Sequence, residues 1–167
     1  MKKKHHLAFL MILYSVLYFH VQGQSLIPDV QIKTIDGENT SSIVFQNEGK
    51  PFIVCFWKSC CNSSLKFMGA LNEVYPDLVE AYSIKIFAIA IDDSRTSARI
   101  KPLVNGNNWE FDFYLDANME LARAMNISLT PHCIVYDGHH NIIWKKSVCM
   151  EGDESVIESE LSKITNQ

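Results

Sequence analysis

Leu65, Met68, Leu71, Val74, Tyr75 and Leu78 recur at three- and four-residue steps, the spacing that lines one face of an α-helix. Just before them the pattern differs. Phe52 to Phe56 is an uninterrupted apolar run behind the loop signal Gly49-Lys50-Pro51, and Ile84 to Ile91 is a second such run, rich in β-branched residues. Runs of this kind predict strands buried on both faces of a sheet. Upstream, Val30 to Thr34 predicts a lead-in strand that turns at Asp36-Gly37. Downstream, a helix is expected from about Ser94 to Asn105-Gly106, a short strand over Phe111 to Leu115, and a helical run capped by Asp116 and lasting to Met125. Cys133 to Tyr136 and Ile142 to Lys146 read as strands joined by Asp137-Gly138-His139-His140-Asn141, a loop with hairpin chemistry. Val156, Ile157, Leu161 and Ile164 stripe a last helix with Asp153 as its cap. Alternating strands and helices followed by a hairpin and a helix predict an α/β fold, a mixed sheet covered by helices.

The first residues stand apart from this pattern. Lys2 to His6 form a basic stretch ahead of the apolar Leu7 to Phe19, and Val21-Gln22-Gly23 suits cleavage before Gln24. This reads as a secretory signal peptide over residues 1–23, its apolar part shorter than the ~20 residues of a membrane span. Removing 23 of 167 residues leaves 144, enough for one domain with a substantial core over residues 24–167. Losing Lys2, Lys3 and Lys4 takes the formal charge from −4 to −7. That acidity argues against a nucleic-acid groove and against adhesion to anionic membrane. The expected location is therefore outside the cytoplasm, in the periplasm or cell envelope, with no stable membrane span after cleavage.

All five cysteines, Cys55, Cys60, Cys61, Cys133 and Cys149, fall in the exported portion, where disulfides are permitted. An odd number leaves at least one unpaired. Cys61 carries the chemistry, because it falls where the strand Phe52 to Phe56 gives way to the following helix. Unpaired N–H groups in a helix's first turn, together with the positive end of its dipole, stabilise a thiolate. Three residues later, where a second thiol would complete a dithiol, stands Ser64.

With this order of elements, the chain resembles the thioredoxin-like proteins over about residues 27 to 164, most closely the exported TlpA-like thiol-disulfide oxidoreductases. Three features carry the resemblance: Phe56-Trp57 ahead of a cysteine-bearing helix start, the strand Ile84 to Asp92, and Thr130-Pro131 before the strand Cys133 to Tyr136. It implies a mixed β-sheet flanked by helices on both faces. It also implies a cis-proline at Pro131 beside the active cysteine, where backbone groups meet an extended substrate segment, and a place for Trp57 and Thr130 on the active-site surface. Against the family's F-W-A-x-W-C-x-x-C, Cys60 replaces the second tryptophan, Cys61 matches the attacking cysteine and Ser64 replaces the resolving one, leaving C-x-x-S. Phe67 stands where many relatives carry an acidic residue, and Gly69 where many carry a helix-kinking proline. Classical thioredoxins have a buried aspartate at the position of Cys55.

A thiolate at Cys61 can attack a disulfide and form a mixed disulfide, but Ser64 cannot release it. Ser64 can donate a hydrogen bond that keeps the thiolate charged. Release would fall to an external thiol or reductant, to another substrate cysteine, or to a remaining cysteine of the chain. Cys60 is expected as an exposed second thiol, since a bridge between neighbours would be strained. Cys55 reads as a small apolar core residue. Cys133 and Cys149 lie near one end of the predicted hairpin, either paired or as two separate thiols, as the register decides. Lys58 either favours the Cys61 thiolate or keeps the loop soluble. Trp109 and Trp144 read as packing residues. His132 is the one loop histidine that could join Cys60 and Cys61 around a soft metal, but a lone histidine is more often solvated, so no metal and no cofactor is expected.

The expected function is thus monothiol thiol-disulfide exchange of the reductase or isomerase type, with protein or small-molecule thiols and disulfides as partners. A second class is a redox-inactive binding module on the same scaffold, motivated by Ser64, Phe67 and Gly69. A peroxiredoxin-like peroxidase is a third. That family's P-x-x-x-[ST]-x-x-C pattern would put a proline at position 54 and a hydroxyl at position 58, where Val54 and Lys58 stand.

Overall fold

The computed structural model describes residues 27–165, so the expected signal peptide lies outside the described residues. The chain runs β1 (Gln31–Thr34), β2 (Asn39–Ser41), β3 (Phe52–Trp57), α1 (Asn62–Tyr82), β4 (Lys85–Ala90), α2 (Ile100–Asn107), β5 (Asp112–Leu115), α3 (Glu120–Ala124), β6 (His132–Tyr136), β7 (Ile142–Ser147) and α4 (Asp153–Thr165). The seven strands form one mixed sheet in the order β2-β1-β5-β4-β3-β6-β7. β4 lies at its centre, and β3 beside it is parallel to β4 and antiparallel to β6.

The alternation hidden inside the apolar runs becomes visible in the sheet. Ile53, Cys55 and Trp57 of β3 and Ile86, Ala88 and Ala90 of β4 face one core, which is closed by Phe67, Met68 and Leu71 of α1, Ile100 and Val104 of α2, and Ile157 and Leu161 of α4. Phe52, Val54 and Phe56 and their neighbours Phe87 and Ile89 face the other, closed by Phe45 and by Leu121 and Ala122 of α3. Helices therefore cover both faces. All six residues of β3 are buried, as expected of a strand with a core on each side.

The ends of elements differ from the sequence pattern for local reasons. No α-helix starts at Ser94. The Asp93 carboxylate accepts from the N–H groups of Arg95 and Thr96 and from the Thr96 hydroxyl, holding a turn there, and α2 begins only at Ile100 after a 3-10 turn over Ser97–Arg99. Asp116 caps α3 from four residues away, its carboxylate accepting from the N–H groups of Glu120 at 2.8 Å and Ala122 at 2.9 Å, so the helix starts later than Asp116. Asp153 is the first residue of α4 rather than its cap, and its carboxylate turns back to Lys146 and the Met150 N–H. The hairpin loop forms as expected, with Asp137 accepting from His139 and Asn141. A side chain at Gly138 would overlap the Gly49 carbonyl, so the loop's close approach to that turn requires glycine.

Candidate functional site

β3 ends at Trp57, the chain crosses Lys58 to Cys60, and Cys61 is the N-cap of α1 in extended conformation. The crossing is tied down from β4. Asp92, buried just past the end of that strand, accepts from the Ser59 N–H at 3.0 Å and from the Ser59 hydroxyl at 2.5 Å. Ile91 adds a backbone N–H to the Trp57 carbonyl at 3.0 Å. These contacts fix where the loop hands over to the helix.

Cys61 is partly exposed, and its sulfur lies 3.0 Å from the Ser63 hydroxyl. Its pKa is lowered from 9.0, first by that hydroxyl and next by the Ser64 peptide N–H, with burial opposing. The sulfur closes no capping hydrogen bond of full geometry, so the first-turn N–H groups act on it at longer range. The main donor is therefore Ser63, which the C-x-x-S spacing does not pick out. Ser64 is fully buried, accepts from the Lys58 N–H at 3.4 Å, and gives Cys61 a smaller hydroxyl contribution. Cys60 is exposed, and Lys58 is not among the groups that lower the Cys61 pKa.

The Thr130–Pro131 peptide bond is cis. Phe56 pairs with His132 across β3 and β6, so Pro131 comes opposite the end of β3 that leads to Cys61. Pro131 is buried and its carbonyl accepts from the Cys149 N–H at 3.0 Å, whereas Thr130 is partly exposed. Trp57 corrects the expectation of a surface role. It is fully buried and packs edge-on against Trp109 and Phe113, with centroids at 5.5 and 5.9 Å, because its place in β3 turns it toward the α1 side of the sheet. Trp109 is a packing residue on the same aromatic cluster.

The cysteine pairing also departs from expectation. Cys133 is bonded to Cys55, not to Cys149. The two are register partners on adjacent antiparallel strands, with Cα atoms 4.2 Å apart. Cys55 is thus half of a bridge rather than an isolated apolar residue, a fact hidden from the sequence because the partners lie 78 residues apart. Cys149 is a buried free thiol whose pKa is pushed up to about 11, chiefly by burial. His132 is half-buried, its Nδ1 2.8 Å from the Ser147 hydroxyl, and burial lowers its pKa. Among the described residues, no group of three or more His, Cys, Asp or Glu side chains could hold a metal ion.

A family model described as thioredoxin-like matches residues 49–142. The solution structure of an uncharacterized thioredoxin-like protein from Porphyromonas gingivalis is 31% identical, with 84% of this chain and 92% of that one covered at a TM-score of 0.74. A secreted disulfide oxidoreductase from Mycobacterium tuberculosis shares the fold at 15% identity and a TM-score of 0.66, covering 81% of this chain and 96% of that one. So does a thiol-disulfide oxidoreductase from Bacteroides fragilis, at 16% identity and a TM-score of 0.66, covering 83% and 98%. No curated protein matches the sequence. With more than half its length under one family model, and β3, α1 and the Thr130–Pro131 turn arranged at one end of the same sheet, the chain belongs to the thioredoxin-like family.

Proposed function

We propose that this protein forms mixed disulfides through Cys61 alone, in monothiol reduction or isomerisation. The observation that carries the reading is the partly exposed Cys61 sulfur at the N-cap of α1, held toward the thiolate by Ser63 and Ser64. The thiolate attacks one sulfur of a substrate disulfide, its bond to Cys61 forms, and the other substrate sulfur leaves as a thiolate. Release needs a second thiol. Ser64 supplies none, Cys55 and Cys133 are bonded to each other, and Cys149 is buried, so an external thiol or a further substrate cysteine closes the cycle. Cys60, exposed beside Cys61, is a second surface thiol open to partners. Thr130 and Pro131 would offer backbone groups to the substrate segment.

Export to the periplasm or cell envelope completes the proposal. It rests on the basic and apolar pattern of residues 1–23 and agrees with the secreted Mycobacterium tuberculosis neighbour. Among the described residues no helix is long and apolar enough to cross a membrane.

Mass spectrometry after exposure to oxidised glutathione tests the chemistry. An adduct on Cys61 that disappears in Cys61→Ser and persists in Cys60→Ser is expected. A folded wild type without a Cys61 adduct would overturn it. The buried Ser64 favours one other reading, a binding module that no longer turns over. Equal capture of one partner by wild type and Cys61→Ser would select that reading.

A further inference from the structure

The core between the sheet and helices α1 and α4 contains three cysteines, Cys55, Cys133 and Cys149. Cys133 stands between the other two. On one side it is bonded to Cys55 of β3. On the other, the Cys149 thiol donates to the Lys146 carbonyl at 3.3 Å, and Lys146 is the residue directly opposite Cys133 across β6 and β7. The Cys133 peptide N–H acts on the same thiol. A free thiol is thus buried against the residue that carries a disulfide.

We propose that Cys55, Cys133 and Cys149 form a second, internal thiol-disulfide exchange centre, in which Cys149 displaces Cys55 from Cys133. The Cys149 thiolate attacks the Cys133 sulfur. The Cys133–Cys149 bond forms as the Cys55–Cys133 bond breaks, the electron pair leaves on Cys55, and Cys55 takes up the proton that Cys149 gave up. One disulfide and one thiol are present before and after, so no external oxidant or reductant enters.

Each isomer has its own place in the fold. The Cys55–Cys133 bridge ties β3, which leads to Cys61, to β6, which follows Pro131. A Cys133–Cys149 bridge would instead tie β6 to the turn after β7, where the Cys149 N–H is already bonded to the Pro131 carbonyl. Freed Cys55 would find an acceptor in the Met68 sulfur 3.9 Å away, a contact that carries no hydrogen bond while Cys55 is bridged and has no proton. The exchange therefore moves a covalent tie between the two segments that frame the proposed site.

Protonation sets the pace. Burial and the Asp153 carboxylate of α4 hold Cys149 in its thiol form, while Lys146 of β7 and the Cys133 N–H oppose them. The thiolate fraction, and with it the exchange rate, rises about tenfold per pH unit toward 11.

The inference does not rest on Cys61 chemistry, and its test removes that chemistry. The full chain carrying Cys60→Ser and Cys61→Ser is held without oxygen or reductant at neutral pH and near pH 9, quenched in acid, alkylated in denaturant and mapped by mass spectrometry. A Cys133–Cys149 peptide pair with alkylated Cys55 should accumulate, on the order of a hundredfold faster at the higher pH. Cys149 remaining the only alkylated member of the three at both pH values, in folded protein, would overturn the proposal. In the same background Cys55→Ala, supplied with oxidised glutathione at neutral pH, should form the Cys133–Cys149 bridge. Two free thiols in a folded Cys55→Ala protein would overturn it independently.

Discussion

At the residue scale, the lowered pKa of Cys61 comes first from a hydroxyl two residues on. The Ser63 side chain is 3.0 Å from the sulfur and is the first cause of its lowered pKa. A hydrogen bond to a charged group contributes about 1.5–3 kcal/mol when well formed, and less at a partly exposed site. Ser63→Ala should therefore move the Cys61 midpoint up toward 9.0 and slow its alkylation below that midpoint by roughly threefold to tenfold. The pH profile of iodoacetamide labelling reads this directly, and an unmoved midpoint would refute it. The sign for stability follows. A depressed thiol pKa stabilises the fold above the unfolded value near 9, and that contribution disappears as pH falls through the folded value. The sequence identified Cys61 from its place at a strand-to-helix junction. It did not single out Ser63, because the family pattern draws attention to Ser64, whose side chain the helix turns into the core.

At the element scale, the junction between β3 and α1 owes its shape to the end of β4. Parallel pairing of the two strands aligns Trp57 with Ala90, which brings Asp92 beneath the crossing loop. Asp92→Ala would leave the Ser59 N–H without its acceptor, at a cost of about 1–3 kcal/mol in urea unfolding. Asp92→Asn keeps one acceptor oxygen and should lose less. An Asp92→Ala protein as stable as wild type would show that solvent replaces the contact at no cost. The apolar runs and the period of α1 made strands and helices legible from the sequence. Their exact ends were not, since Asp93, Asp116 and Asp153 each bond to backbone in a way that shifts a helix start.

At the scale of the whole molecule, the Cys55–Cys133 bridge closes a loop across 78 residues of sequence. Constraining so long a loop in the unfolded chain stabilises the fold by up to about 4.5 kcal/mol in the chain-entropy treatment. The double variant Cys55→Ala with Cys133→Ala should lower the urea midpoint by an amount equivalent to roughly 2–4 kcal/mol, part of it from lost packing. Equal midpoints for variant and parent would show that the bridge contributes nothing.

The sequence by itself determined the α/β class, the strand-to-helix position of Cys61 and the absence of a second thiol at Ser64, because periodicity and residue chemistry are local. Only the tertiary structure decided that Trp57 is buried, that Asp92 braces the loop, and that Cys133 bonds Cys55 while Cys149 waits beside it. Those facts depend on which strands become neighbours and in what register. A shift of one residue would turn Trp57, Cys55 or Cys133 to the opposite face of the sheet.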